Sequence, residues 1–285
     1  ERIDKHNRNV QALVLSPTRE LGVQIANDLK DYSKFMPEIN VIAVYGGASI
    51  DNQVKELQRG GQIVVGTPGR IVDLIKRRKL KVENINYLVL DEADEMLSMG
   101  FKDELDEILS NTPSSRQTLL FSATMPNGIE SISKNYMNSP KHIAIGKKNS
   151  GAVNVSHVFY QVHAKDRYLA LKRIVDVNPG IYGIIFVRTR FDAKEVAEKL
   201  MHDGYNADAL HGDLSQPQRE YVMTRFRSRN LQILVATDVA ARGLDVDDLT
   251  HVINYNIPDD VEVYVHRSGR TGRAGKSGIS ISIIH

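Results

Sequence analysis

Short runs of Val, Ile and Leu at residues 12–15, 41–45, 62–65, 87–90, 118–121 and 142–145 most constrain what this chain can fold into. The runs are continuous rather than alternating in polarity, which is the pattern of strands covered on both faces. Between them lie amphipathic segments, for example 19–35, 70–77 and 102–109, with helical spacing of their apolar residues. Strand and helix alternating in this way predict an α/β fold on a doubly wound parallel sheet.

The pattern lapses into small and polar residues at Gly146-Lys147-Lys148-Asn149-Ser150-Gly151. It resumes with predicted strands at 155–162, 181–187, 207–210, 233–236, 251–255 and 278–284. A polar stretch between two apolar patterns reads as a linker. The expectation is two α/β domains, 1–146 and 155–285, joined by a linker at 147–154. A chain of 285 residues suits that count, at roughly 100–200 residues per domain. Residues 1–150 carry 20 Lys and Arg against 19 Asp and Glu, and residues 151–285 carry 17 against 16, so neither half is a charged appendage.

The net charge of +2 excludes a polybasic or acidic-tail protein. It does not exclude nucleic acid, because a backbone-binding groove needs only a local basic stripe. With no Cys there is no disulfide framework, thiol nucleophile or Cys-ligated zinc, which fits a reducing, cytoplasmic setting. The apolar run 181–187 falls far short of the roughly 18 residues of a membrane span. The start, Glu1-Arg2-Ile3-Asp4-Lys5, has no Met and no signal pattern, and the closing run 280–284 reads as a strand cut at its end. The expectation is a soluble piece of a longer protein.

Open parallel sheets bind ligands at the carboxyl ends of their strands, so the residues after each run carry the argument. The run 87–90 leads into Asp91-Glu92-Ala93-Asp94, where one carboxylate is placed to hold Mg²⁺ through water and another to orient or deprotonate an attacking water. The same acids would also suit the start of a helix. Phe121-Ser122-Ala123-Thr124 offers hydroxyls to the acids of a neighbouring strand, although alone it reads as a helix cap or turn. His266-Arg267-Ser268-Gly269-Arg270-Thr271-Gly272-Arg273 spaces three arginines by three, predicting a guanidinium cluster set against an anion. Further strand ends carry Pro17-Thr18-Arg19-Glu20, Gly46-Gly47, Thr67-Pro68-Gly69-Arg70, His211-Gly212-Asp213 with Gln216 and Arg219, and Thr237-Asp238. Each is an ordinary turn or cap by itself. Their repetition in both halves points to a phosphodiester backbone, and the scarcity of aromatics among them points away from base stacking.

In order and spacing these strings resemble the DEAD-box ATP-dependent RNA helicases over essentially the whole chain, and Met96-Leu97-Ser98-Met99-Gly100-Phe101 is similar to bacterial members. The resemblance implies two tandem RecA-like domains, with ATP and Mg²⁺ as cofactors and single-stranded or duplex RNA, or a ribonucleoprotein, as partner. It implies that Asp91 holds Mg²⁺ through water and that Glu92 acts on the hydrolytic water. Asp94, Ser122, Thr124 and His266 would couple the nucleotide and RNA sites. Arg270 and Arg273 would act as arginine fingers, and Asp245 and Gly243 would lie at the nucleotide. Pro17, Thr18, Arg19, Gly47, Thr67, Gly69 and Arg70 would line the RNA path on the first domain. Thr189, His211, Gly212, Asp213, Gln216, Arg219 and Thr237 would do so on the second. The implied mechanism is closure of the two domains on ATP and RNA, which bends one strand and locally separates a duplex.

The phosphate-binding loop, G-x-x-x-x-G-K-[ST], does not occur in these residues. Gly275-Lys276-Ser277 has the right ending, but the position five before Gly275 is Arg270, so it reads as a turn. The first domain is therefore expected to lack its N-terminal strand, loop and helix, and these residues alone are expected to be nearly inactive. One reading of another class remains, a non-hydrolysing RNA-binding or scaffold module, and a related two-domain DNA helicase is a further alternative. A dinucleotide enzyme is disfavoured, since no G-x-G-x-x-G follows a strand.

Overall fold

The structure, a computed structural model, describes residues 2–144, 154–243, 246, 248–273 and 275–285. The chain divides into two compact units, the first made of residues 1–143 with 243–245 and the second of residues 144–242 with 246–285. Of the expected linker, residues 147–153 lie outside the described residues, as does Asp245.

The first unit runs β1 (Ala12–Leu15), α1 (Arg19–Tyr32), β2 (Val41–Val44), α2 (Ile50–Arg59), β3 (Ile63–Gly66), α3 (Pro68–Lys76), β4 (Tyr87–Leu90), α4 (Ala93–Ser98), α5 (Lys102–Asn111), β5 (Gln117–Leu120) and α6 (Asn127–Tyr136). The second runs β6 (Val155–Gln161), α7 (Arg167–Asp176), β7 (Gly183–Val187), α8 (Arg190–His202), β8 (Ala207–Leu210), α9 (Gln216–Arg227), β9 (Ile233–Thr237), α10 (Asp238–Ala241), β10 (His251–Asn254), α11 (Val261–Ser268) and β11 (Gly278–Ile284).

Among the described residues the first sheet has the order β2-β3-β1-β4-β5 and the second β6-β11-β10-β7-β9-β8, with parallel pairing throughout. Apart from β6, appended beside β11, the two sheets are wound alike. Each reverses direction beside its first central strand, at β1/β4 and at β7/β10, which is where an open α/β sheet leaves a crevice.

Successive strand residues point to opposite faces, which explains the uninterrupted apolar runs. Leu13 and Leu15 of β1 enter a core with Ile71, Leu74, Leu88, Leu90, Met96 and Ile108, while Val14 packs on the other face with Ala26, Val41 and Val65. In the second unit Ile185, Val187, Val235, Ile253 and Ile281 pack against Leu171, Val196 and Leu200.

Two expectations fail. The run 142–145 forms no strand over its described residues: 142–144 pair with no described strand, and Ile143 is 73% exposed. A run this short is ordered only by a neighbouring ladder, and it lies one residue beyond Pro140, which has no N–H to donate. The helix expected over 19–35 stops at Tyr32. The Ser33 hydroxyl bonds the Leu29 and Lys30 carbonyls, and Pro37 disfavours helix in the residue before it.

Candidate functional site

Reading the carboxyl edge of the first sheet in strand order gives Gly46-Gly47 after β2, Thr67 after β3, Pro17-Thr18 after β1, Asp91 after β4 and Phe121-Ser122 after β5. One edge thus carries all of the first unit's predicted residues. The strings expected to meet a phosphodiester backbone sit on one half, and the Asp91–Asp94 acids with Ser122 and Thr124 on the other.

On the first half, Thr18 caps α1, its hydroxyl accepting the Leu21 N–H at 3.3 Å, and Thr67 caps α3 with no side-chain capping bond. Gly47 has φ of 76° in the turn between β2 and α2, a conformation that disfavours any side chain. Gly69, in the first turn of α3, has open space where a Cβ would stand. Arg70 donates to Gln53 Oε1 at 2.7 Å and to the Ala48 carbonyl, and Gln53 in turn donates to the Tyr45 carbonyl at 3.1 Å. The Arg19 guanidinium lies over the Tyr45 ring, 4.5 Å from its centroid. The end of β2 therefore gathers Arg19 and Arg70 into one network. Gln53 and Tyr45 were absent from the expected residues. The signal for Gln53 was a polar residue on the stripe formed by Ile50, Val54 and Leu57.

On the other half, Asp91 accepts the Glu92 N–H at 3.0 Å, and no cation pairs with it among the described residues. Burial pushes the Asp91 carboxyl above its usual range and the nearby Asp94 charge adds to this, against the opposing bond from Glu92. Glu92 sits in the left-handed region, with φ 47° and ψ 51°, immediately before α4. That conformation is uncommon outside Gly and Asn, and strain of this kind concentrates at functional positions. Asp94 is buried and accepts three bonds: Thr124 N–H at 2.9 Å, Thr124 hydroxyl at 2.8 Å and Glu95 N–H at 3.1 Å. The Ser122 hydroxyl donates instead to the Thr124 carbonyl at 2.6 Å. Of the two hydroxyls expected to reach the acids, one does so, and the segment is a latch between the ends of β4 and β5 rather than a helix cap.

The carboxyl edge of the second sheet carries Thr189 after β7, Thr237 as the last residue of β9 and His211-Gly212-Asp213 after β8, on three adjacent strands. Thr189 forms a capping box with Asp192, and Thr237 accepts the Ala240 N–H at 3.4 Å. His211 is buried, its Nδ1 accepting the Asp213 N–H at 3.3 Å, and Asp213 pairs with Arg190 beside Gly212. Gln216 opens α9 and donates to Glu220, while Arg219 reaches the Ala240 carbonyl at 3.3 Å. Gly243 follows α10 with φ of 65°.

Of the three arginines expected to cluster against an anion, Arg267 is taken up by an internal acid. Arg267 is 4% exposed and grips Asp238 with two bonds, 2.6 and 2.7 Å, while donating to Asn254 Oδ1 and the Asn256 carbonyl. It is a structural cation inside the second unit. Arg270 and Arg273 lie beyond α11 in the loop to β11, not at a strand end, and Arg273 Nε donates to the Gly269 carbonyl at 2.9 Å. His266 is in the last turn of α11. Gly275 and Lys276 lie in the turn before β11, with the Lys276 N–H on the Arg273 carbonyl at 3.0 Å.

Two parallel-sheet α/β units of matching winding, one with an acid and hydroxyl latch at its strand ends, define a tandem RecA-like protein. Residues 1–132 match the sequence family described as DEAD/DEAH box helicase, and residues 166–275 match that of the helicase conserved C-terminal domain. The ATP-dependent RNA helicase CshA of Listeria monocytogenes is 48% identical over 283 residues, covering 99% of this chain and 54% of that protein. The chain spans about half to three-fifths the length of the curated relatives it matches. A DEAD box protein from the hyperthermophile Methanococcus jannaschii has 44% identity and a TM-score of 0.56, covering 100% of this chain and 76% of its own. S. cerevisiae Dbp5 bound to RNA and ADP BeF3 has 30% identity and a TM-score of 0.88, covering 100% and 73%. The chain belongs to the DEAD-box RNA helicase family. No described helix is long and apolar enough to cross a membrane.

Proposed function

We propose that this chain is the RNA-remodelling core of an ATP-dependent RNA helicase, acting on single-stranded or duplex RNA or a ribonucleoprotein. The observation that carries this reading is the order along the first sheet's carboxyl edge, where backbone-recognition turns meet the Asp91–Asp94 acids and the Asp94–Thr124 latch ties the last two strands together. Asp91 fits a Mg²⁺ site: its carboxylate is partly buried, disfavoured in its charged form, and has no internal cation among the described residues.

Bound ATP with Mg²⁺ supplies the phosphoanhydride whose cleavage drives the cycle. In this reading Asp91 holds the ion through water, and the Glu92 carboxylate accepts a hydrogen bond from the attacking water and orients it. Arg270 and Arg273 place positive charge on the transferring phosphoryl group, a contribution of roughly 10³–10⁵ in rate. Thr18, Arg19, Gly47, Thr67, Gly69 and Arg70, with Thr189, His211, Gly212, Asp213, Gln216, Arg219 and Thr237, take the RNA backbone. Such contacts carry little sequence preference. Asp94, Ser122, Thr124 and His266 couple the two ligands, and Gly243 and Asp245 lie at the nucleotide.

The 285 residues contain no phosphate-binding loop, so by themselves they release phosphate from ATP at background level. The test is RNA-stimulated phosphate release from this chain and from the whole protein. Release by the whole protein, lost in Glu92→Gln and stimulated by RNA but not by DNA of the same sequence, supports the reading. Activity indifferent to RNA overturns it, and robust release from these residues alone overturns the role given to the missing loop.

A further inference from the structure

Residues Lys76, Arg77, Arg78, Lys79 and Lys81 place five cations in six positions, where α3 turns back toward β4. All five are exposed, whereas Leu80 and Val82 are each only 3% exposed and pin the turn to the core. The N–H groups from Arg77 to Leu80 are all bonded: Arg77 N–H to the Asp73 carbonyl, Arg78 N–H to that of Ile75, and both Lys79 and Leu80 N–H to that of Leu74. Arg78 has φ of 55°, at the helix-ending position where glycine is most at ease. The chain thus keeps a cation where backbone preference asks for glycine.

Lys76 pairs with Glu107 at 3.0 Å and Arg77 with Asp73 at 2.7 Å, and both also suit the negative end of the helix dipole. Among the described residues no acid pairs with Arg78, Lys79 or Lys81. Helix propensity and the dipole therefore account for two of the five charges and leave three presented to solvent on a rigid turn. The same nine-residue helix is capped by Thr67 and carries Gly69 and Arg70 in its first turn, so its two ends are about 13 Å apart at roughly 1.5 Å per residue.

We propose that the 76–81 turn is a second, auxiliary contact for the RNA phosphate backbone, engaged by RNA that extends past the edge contacted by the start of α3. This rests on the RNA reading of that edge. A membrane surface is disfavoured, because the turn's apolar residues, Leu80 and Val82, are buried and offer nothing to insert. Contacts of point charges with phosphates are sequence-independent and release counterions, so salt dependence is their signature.

The experiment is fluorescence anisotropy of a labelled 20-nucleotide RNA with the 285-residue chain, from 50 to 300 mM salt. It compares the unaltered chain with a triple variant, Arg78→Gln, Lys79→Gln, Lys81→Gln. The expected result is a log K against log salt slope smaller by about 2, near 0.7 for each phosphate no longer neutralised, with at least about tenfold weaker binding near 0.1 M salt. A variant with Arg78→Gly in place of Arg78→Gln, which suits the left-handed backbone, should show the same weakening. A charge-keeping set, Arg78→Lys, Lys79→Arg, Lys81→Arg, should retain the original slope. Unchanged slope and affinity in the triple variant, with the unaltered chain binding well, overturn this inference and leave the edge reading standing. Failure of the unaltered chain to bind RNA overturns both. Loss of binding to an acidic peptide or to phosphatidylserine vesicles, without loss of RNA binding, reassigns the turn and overturns the inference.

Discussion

Asp91 and Asp238 each directly follow a parallel strand, yet their surroundings are opposite. Asp238, after β9, is gripped through both oxygens by the buried Arg267, which also ties down Asn254 and the Asn256 carbonyl. Asp91, after β4, accepts one backbone N–H and faces no cation among the described residues, so burial works against its charge. A strand end is thus not enough to mark a carboxylate as a candidate for function. What separates the two is whether the protein has already supplied the positive partner.

The largest expected effect tests the acid that already has its cation. Arg267→Ala leaves Asp238, Asn254 and a carbonyl without their donor, and breaking such a pair from one side costs about 3 kcal/mol. Urea unfolding of the chain should show that loss in the second unit's transition. An unchanged midpoint would break the comparison, because Asp238 would then be no better satisfied than Asp91. Next in size is Thr124→Val, which removes the hydroxyl donor from Asp94 but keeps the shape. With Thr124 N–H and Glu95 N–H still bonded, the cost should be about 1–2 kcal/mol in the first unit. Amide exchange at positions 124 and 95 should rise along with it, sharpening the view that the Thr124 hydroxyl helps to hold Asp94 in place.

Much of this architecture is legible in residues alone. The uninterrupted Val, Ile and Leu runs reveal buried parallel strands, and the turn residues after them reveal which edge of the sheet carries the candidate site. The spatial order of the strands is not legible, because register and neighbour choice depend on packing between runs dozens of residues apart. It is that order which divides the first edge into two halves. The 142–145 run shows the limit of local pattern, since a short apolar run does not disclose whether a partner ladder exists. Arg267 shows another: spacing alone treats it like Arg270 and Arg273, and its partner Asp238 lies 29 residues away. Gln53 was within reach, since a glutamine on an apolar helix stripe needs a polar partner inside.

A smaller effect concerns the backbone beside Asp91. Glu92 holds φ of 47°, which costs a non-glycine residue on the order of 1 kcal/mol. Glu92→Gly should therefore leave the first unit as stable as before or up to about 1 kcal/mol more so, while RNA-stimulated phosphate release by the whole protein is lost. Destabilisation by more than about 1 kcal/mol would show that the Glu92 side chain holds the fold together, and that the strain is not kept for chemistry.

The smallest effect bears most directly on the comparison. The Asp91 carboxyl is raised above its ordinary value of 3.8, chiefly by burial. A raised acid means that the folded state holds its proton to higher pH than the unfolded chain does. Stability from this group is therefore greatest below the unfolded value and is lost as pH rises through the folded one. Asp91→Asn keeps the shape and discards the charge. In magnesium-free buffer the variant should match the original chain in acid and equal or exceed it at neutral pH, by less than about 1 kcal/mol. Urea midpoints measured between pH 3.5 and 7 give both the sign and the window. A variant less stable at neutral pH would mean that Asp91, like Asp238, already has its cation within the fold, and that the first edge holds no carboxylate waiting for an external one.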